Sequence, residues 1–323
     1  AALLTPSLFA KGKVVVANRA SRDVSIIDVK TDEVTTIAMP DNGESMYVVH
    51  SPAMNRVFVG DRANSRVVVF DGADFSVEST VPAGNGVFHM WGSAAVSQLW
   101  VNNDIDNTIT VIDTISLEVL ATIPLPADLV AAGGKPHDVV LDQTAPDAFV
   151  TMLGISGAND YVIKYDANSF EETARAAVGQ DPHVSLSRQG NLLYVACQNS
   201  NSVFVLNRDG LEAQAPIAVP AAHGAGMPLN GKVFYTTNIA NGGTDGLVAI
   251  DTRTNTVIDS VDTPFPVPHN IALTPNGKKI YVTHSGGAAD KVSIFEVEDD
   301  SGVPTPVGDV TVGVNPFGLA YVP

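Results

Sequence analysis

Five histidines, His89, His137, His183, His223 and His269, each open a short apolar stretch that leads through a turn into a second β-type stretch. At the end of that second stretch, 14 or 15 residues later, stand Asn103, Met152, Cys197, Asn238 and His284. The segment 268–284, PHNIALTPNGKKIYVTH, shows the pattern most clearly. Its Asn276-Gly277 pair supplies the positive φ of a hairpin turn, and antiparallel pairing brings His269 and His284 to one end. The spacing predicts facing pairs: His89 with Asn103, His137 with Met152, His183 with Cys197, His223 with Asn238, and His269 with His284. In the same register Met46 faces Asp61, and Phe317 faces Asn18. Imidazole, thiolate and thioether are donors that suit copper, and imidazole alone also suits zinc or iron. The expected metal ligands are therefore His89, His137, His183, His223, His269, His284, Cys197 and Met152, with copper ahead of zinc and iron. Duplicated strand ends that hydrogen-bond to neighbouring strands explain the same histidines without a metal. Cys197 also reads as a small buried hydrophobe.

Arg19 and Arg62 follow second-strand ends on the same side, where a guanidinium would hold an anionic group bidentately, and Asp61 offers a hard oxygen there. His50 lies further along its innermost strand and reads as a core histidine. Trp91 and Trp100 read as packing within a blade, with Phe88 beside His89. The sequence holds no Gly-x-Ser-x-Gly elbow, phosphate loop, dinucleotide fingerprint, haem-attachment motif or His-Glu-x-x-His.

The elements that position these residues recur. Strands ending at Asp28, Asp71, Asp113, Asp166, Asn207, Asp251 and Glu296 repeat at intervals of about 43 residues. Four short strands per period, seven times over, predict an all-β, seven-bladed β-propeller of four-stranded antiparallel blades. The acidic or amide ends read as turn chemistry, each side chain bonding to backbone two residues on. The C-terminal stretch 315–322 has no outer strands after it and the N-terminus has no innermost strand. The expected ring is thus closed by pairing of N- and C-terminal strands, with residues 1–12 as a leader and 13–323 as one propeller domain. The longest interval carries insertions at 127–135 and 154–160, expected on a binding face.

Tyr281-Val282-Thr283-His284 after Thr274-Pro275-Asn276-Gly277, together with Asn107-Thr108-Ile109-Thr110-Val111-Ile112-Asp113-Thr114, resembles the YVTN-repeat family of seven-bladed propellers. The resemblance spans nearly the whole chain and implies the fold. It does not imply one function, because such propellers include binding modules, surface-layer proteins, lactonases and metal enzymes. The histidines are also similar in arrangement to those of the copper-holding propeller of nitrous oxide reductase and of iron-holding carotenoid-cleaving propellers.

A formal net charge of −17 argues against nucleic-acid or anionic-membrane surfaces, which need clustered Lys and Arg. No apolar run approaches the roughly 20 residues of a membrane span. The first expectation is an exported, periplasmic or extracellular propeller that binds copper or another transition metal at its channel mouth. It would act as a copper-handling protein or a metal-dependent oxidoreductase. The alternatives are a propeller-type lyase or lactonase, with a mouth histidine as base and Arg19 or Arg62 holding a carboxylate, and a non-enzymatic module that binds a protein partner or a glycan on its top face.

Overall fold

The computed structural model describes residues 12–187, 191–298 and 301–323, so the predicted leader lies, except for Gly12, outside the described residues. The chain forms seven four-stranded antiparallel sheets arranged as blades. The innermost strands are, from blade 1 to blade 7, Pro316–Val322, Ser45–Ser51, Val87–Ser93, Lys135–Leu141, Pro182–Leu186, Ala222–Gly226 and Pro268–Leu273. Blade 1 joins the two ends of the chain: Pro316–Val322 pairs with Lys13–Asn18, placing Lys13 opposite Val322 and Asn18 opposite Pro316. The predicted closure is therefore present, and it removes two open sheet edges.

Inner strands carry apolar side chains on both faces because each blade is covered by two neighbours. The second strands Arg56–Asp61, Gln98–Asn103 and Val233–Asn238 are buried along their whole length. Outer strands such as Val77–Pro82 and Thr256–Val261 are largely exposed, and their polar residues face water. The apolar clusters lie between blades. Trp100 of blade 3 packs with Val139 and Ile163 of blade 4, and Val14 of blade 1 packs with Tyr281 of blade 7. Trp91 departs from the packing role expected of it. Its partner across the ladder, Trp100, is fully buried, whereas Trp91 is 46% exposed.

Six of the acidic and amide strand ends close their own turns. Asp28, Asp71, Asp113, Asp166 and Asp251 each accept from the backbone N–H two residues on, and Asn207 accepts from that of Asp209. The two insertions meet each other. A short helix, Ala127–Ala131, leads to Ala132, whose carbonyl accepts from both the N–H and the hydroxyl of Ser156. Among the described residues no helix is long and apolar enough to cross a membrane.

Candidate active site at the channel mouth

Strand pairing decides which side chains enter the channel. In six blades the innermost strand carries a β-bulge near the mouth, so that two of its residues oppose one residue of the second strand. Blade 5 has no bulge there, which accounts for its 14-residue spacing between His183 and Cys197. The first bulge positions are Met46, Phe88, His137, His223, His269 and Phe317, aligned with His183 of blade 5. The second positions, one residue deeper, are Tyr47, His89, Asp138, Gly224, Asn270 and Gly318. His89 therefore belongs one register below the other four histidines.

The same pairing corrects the facing pairs expected from sequence. Met152 pairs with Pro136, Cys197 with Pro182, His284 with Pro268, Asp61 with Ser45, Asn103 with Val87 and Asn238 with Ala222. Because successive strand residues point to opposite faces, a shift of one residue turns these side chains away from the histidines. Cys197 and Met152 are fully buried in apolar clusters between blades. Burial pushes the Cys197 thiol up to about 12. His284 lies between the Pro266 carbonyl, 3.0 Å from Nδ1, and the Ser293 hydroxyl, 2.7 Å from Nε2. Asp61 is fully buried and accepts from the Arg66 guanidinium and the Glu44 N–H. These four residues are scaffold in this arrangement. His50 sits apart from the mouth, with Nε2 3.2 Å from the Asn55 side chain.

The remaining five histidines close a ring with two other aromatic residues. Centroid separations run 3.8 Å from Tyr47 to His89, 5.1 Å to His137, 4.4 Å to His183, 3.8 Å to His223 and 4.6 Å to His269. From His269 the ring continues 4.3 Å to Phe317 and 5.4 Å back to Tyr47. Each blade thus supplies one ring to a floor across the channel. Blade 2 supplies Tyr47 in place of the expected Met46, which is fully buried in the core. The close approach depends on glycine at two of the second bulge positions. A Cβ on Gly224 would stand 2.0 Å from the His269 carbonyl oxygen, and one on Gly318 would stand 2.6 Å from the Tyr47 Cα. Gly224→Ala is expected to lower stability by about 1–3 kcal/mol, the usual cost of overpacking, read as a lower urea midpoint.

Two carboxylates that the sequence did not single out organise this floor. Asp138 lies 2.8 Å from His89 Nδ1 and 3.9 Å from His183 Nδ1, and it also accepts from the N–H groups of Val139 and Val184. Burial pushes Asp138 up, but His89 and these hydrogen bonds outweigh it and hold the carboxyl below its ordinary range. Asp181 lies 3.5 Å from His137 Nδ1 and 3.9 Å from His183 Nε2, and its side chain keeps 23% of its surface open. Burial, with Asp160 beside it, raises Asp181 above its ordinary value. Asp160 fixes the approach, accepting from the Asp181 N–H at 2.8 Å and from the Ile155 N–H in the inserted loop. The signals available were adjacency alone: Asp138 follows His137, and Asp181 precedes His183 by two residues.

Burial, then the charge of neighbouring imidazoles, holds most of the ring neutral. His137 and His269 are lowered to about 3, and His183 and His223 fall well below the ordinary range. Nε2 of His89, His183 and His223 is buried without a hydrogen-bond partner among the described residues. One nitrogen from each of His89, His137 and His183 lies within 4.8 Å of the others.

Arg19 and Arg62 flank the floor, 5.5 Å over Phe317 and 5.8 Å over Phe88 respectively. Each has a carboxylate partner: Arg19 meets Glu44 at 2.7 Å and Arg62 meets Asp104 at 2.9 Å. The rim therefore offers donors and acceptors together, next to aromatic faces, with its charges compensated.

No curated protein matches this chain. Among solved structures, the Pseudomonas aeruginosa periplasmic gluconolactonase is 18% identical, covering 97% of this chain and 99% of that one, with a TM-score of 0.76. A candidate 6-phosphogluconolactonase of Bacteroides fragilis is 17% identical over 99% of this chain and 100% of that one, also at 0.76. Kuenenia stuttgartiensis hydrazine synthase is 14% identical over 95% and 97%, at 0.72. At these identities the likeness is one of fold. A family model described as a seven-bladed β-propeller lactonase matches residues 12–215, more than half the chain. The chain belongs to the lactonase family of seven-bladed β-propellers.

Proposed function

We propose that this chain hydrolyses a neutral sugar lactone at the channel mouth. The observation that carries this reading is the open carboxylate of Asp181, set against a floor of buried imidazoles in a chain of the lactonase family. Water attacks the lactone carbonyl carbon and passes a proton to Asp181. The ring C–O bond then breaks, and the departing alkoxide takes that proton, leaving a hydroxy acid. A carboxylate made more basic by burial suits this transfer.

The rim supports a polyhydroxylated and uncharged substrate. Paired guanidinium and carboxylate groups accept and donate hydrogen bonds to hydroxyls, whereas a phosphate would have to compete with Glu44 and Asp104 for Arg19 and Arg62. The similar Pseudomonas aeruginosa gluconolactonase is periplasmic, which fits the export expected of this chain, and a periplasmic location is proposed with it. Initial rates with glucono-δ-lactone and with its 6-phosphate ester test the substrate class. The expected result is a kcat/KM at least tenfold higher for the uncharged lactone. The reverse order would contradict the neutral-substrate reading.

A further inference from the structure

The geometry points to a transition-metal site in the channel floor: we infer that His89, His137 and His183 hold one divalent ion of borderline softness. One nitrogen from each of these three buried imidazoles lies within 4.8 Å of the other two. Two of the three rings have an acceptor at Nδ1. Asp138 accepts from His89 Nδ1, and the Pro182 carbonyl, 3.3 Å away, accepts from His137 Nδ1. Both acceptors favour a proton on Nδ1, which leaves Nε2 as the ring atom available to an ion. Nε2 of His89 and of His183 is buried and has no hydrogen-bond partner among the described residues. A buried polar atom left without a partner is destabilising, and a bound cation would give it one.

Asp138 against His89 is the carboxylate–histidine arrangement that orients a ligating imidazole and raises its basicity. The preference for copper expected from sequence drew on a thiolate and a thioether. Cys197 and Met152 lie in apolar clusters between blades, so the donor set is imidazole with carboxylates nearby, which serves zinc and copper alike. Three histidines leave a fourth position for water. That water would stand beside Asp181, and its part in turnover rests on the lactonase reading; the binding of the ion does not.

The test uses the whole chain, stripped with a chelator and then titrated separately with Zn(II), Cu(II) and Co(II). Calorimetry and elemental analysis read affinity and stoichiometry, and the visible spectrum of the cobalt form reads coordination. One equivalent is expected of each ion. His183→Gln should weaken binding at least a hundredfold and Asp138→Asn by 10–100-fold. Cys197→Ala and His284→Ala should bind as the wild type does. Circular dichroism confirms that each variant is folded, and His137→Gln serves if His183→Gln is not. No stoichiometric binding by the folded wild type, or equal affinity across the histidine variants, overturns the site. Metal-free protein that hydrolyses lactone at the wild-type rate overturns the proposed water position and leaves the lactonase reading standing. Binding of one ion without any lactone turnover supports the site and removes that reading.

Discussion

Asp181→Asn is expected to lower kcat for lactone hydrolysis by 10²- to 10⁴-fold, with KM changed much less, the range typical of losing a positioned general base. The replacement keeps the size of the side chain and removes its ability to take a proton. Its neighbours lose little, because Asp181 is held mainly through its backbone: its N–H donates to Asp160 and its carbonyl accepts from Gln198. A folded variant with unchanged kcat would remove Asp181 from the mechanism. Asp160→Asn should act in the same direction but more weakly, since Asp160 positions the loop without reaching the mouth.

The second large effect concerns the ring as a whole. Deleting residues 315–323 removes the innermost strand of blade 1, including Val322, which is fully buried, and Phe317, which completes the aromatic floor. It also uncovers the edge of Lys13–Asn18. Burial of one large aliphatic side chain alone is worth about 1.5–3 kcal/mol. A domain has only about 5–15 kcal/mol of net stability, so losing a strand from the closure consumes much of it. The truncated protein is expected to aggregate and to lose its cooperative thermal transition. An unchanged melting midpoint would show that the closure contributes nothing to stability.

The fold was legible in the sequence because its signals are local and repeated. Asp or Asn strand ends such as Asp113 and Asp166 recur in six of the seven blades, short apolar strands recur in all of them, and the unpaired terminal stretches imply closure. The site was legible only by residue type. The five mouth histidines do converge, yet the bulges that set their facing depend on a single extra residue, and spacing alone does not reveal which side chain it turns. A shift of one residue placed Tyr47 where Met46 was expected, set His89 one level below His137, and turned Cys197, Met152 and His284 into the blades. Nothing in the sequence marks Asp138 and Asp181, because acidic residues near a histidine are common in a chain of this charge. Their role comes from neighbouring blades: Asp138 of blade 4 reaches His89 of blade 3, and Asp181, at the start of blade 5, reaches His137 of blade 4. Arg19 and Arg62 lie at the mouth as expected, but each already holds a carboxylate of the protein. That pairing shifts the expected substrate from an anion toward a neutral, hydroxyl-rich ring.

Lactone opening releases a proton, so the central claim is tested most directly by following proton release from glucono-δ-lactone in weak buffer with increasing amounts of purified protein. The proposed function predicts a rate that rises in proportion to protein concentration above the spontaneous reaction, and that falls back to the spontaneous rate with the folded Asp181→Asn variant at equal concentration. A wild-type rate indistinguishable from spontaneous hydrolysis across a panel of neutral five- and six-membered sugar lactones would contradict it.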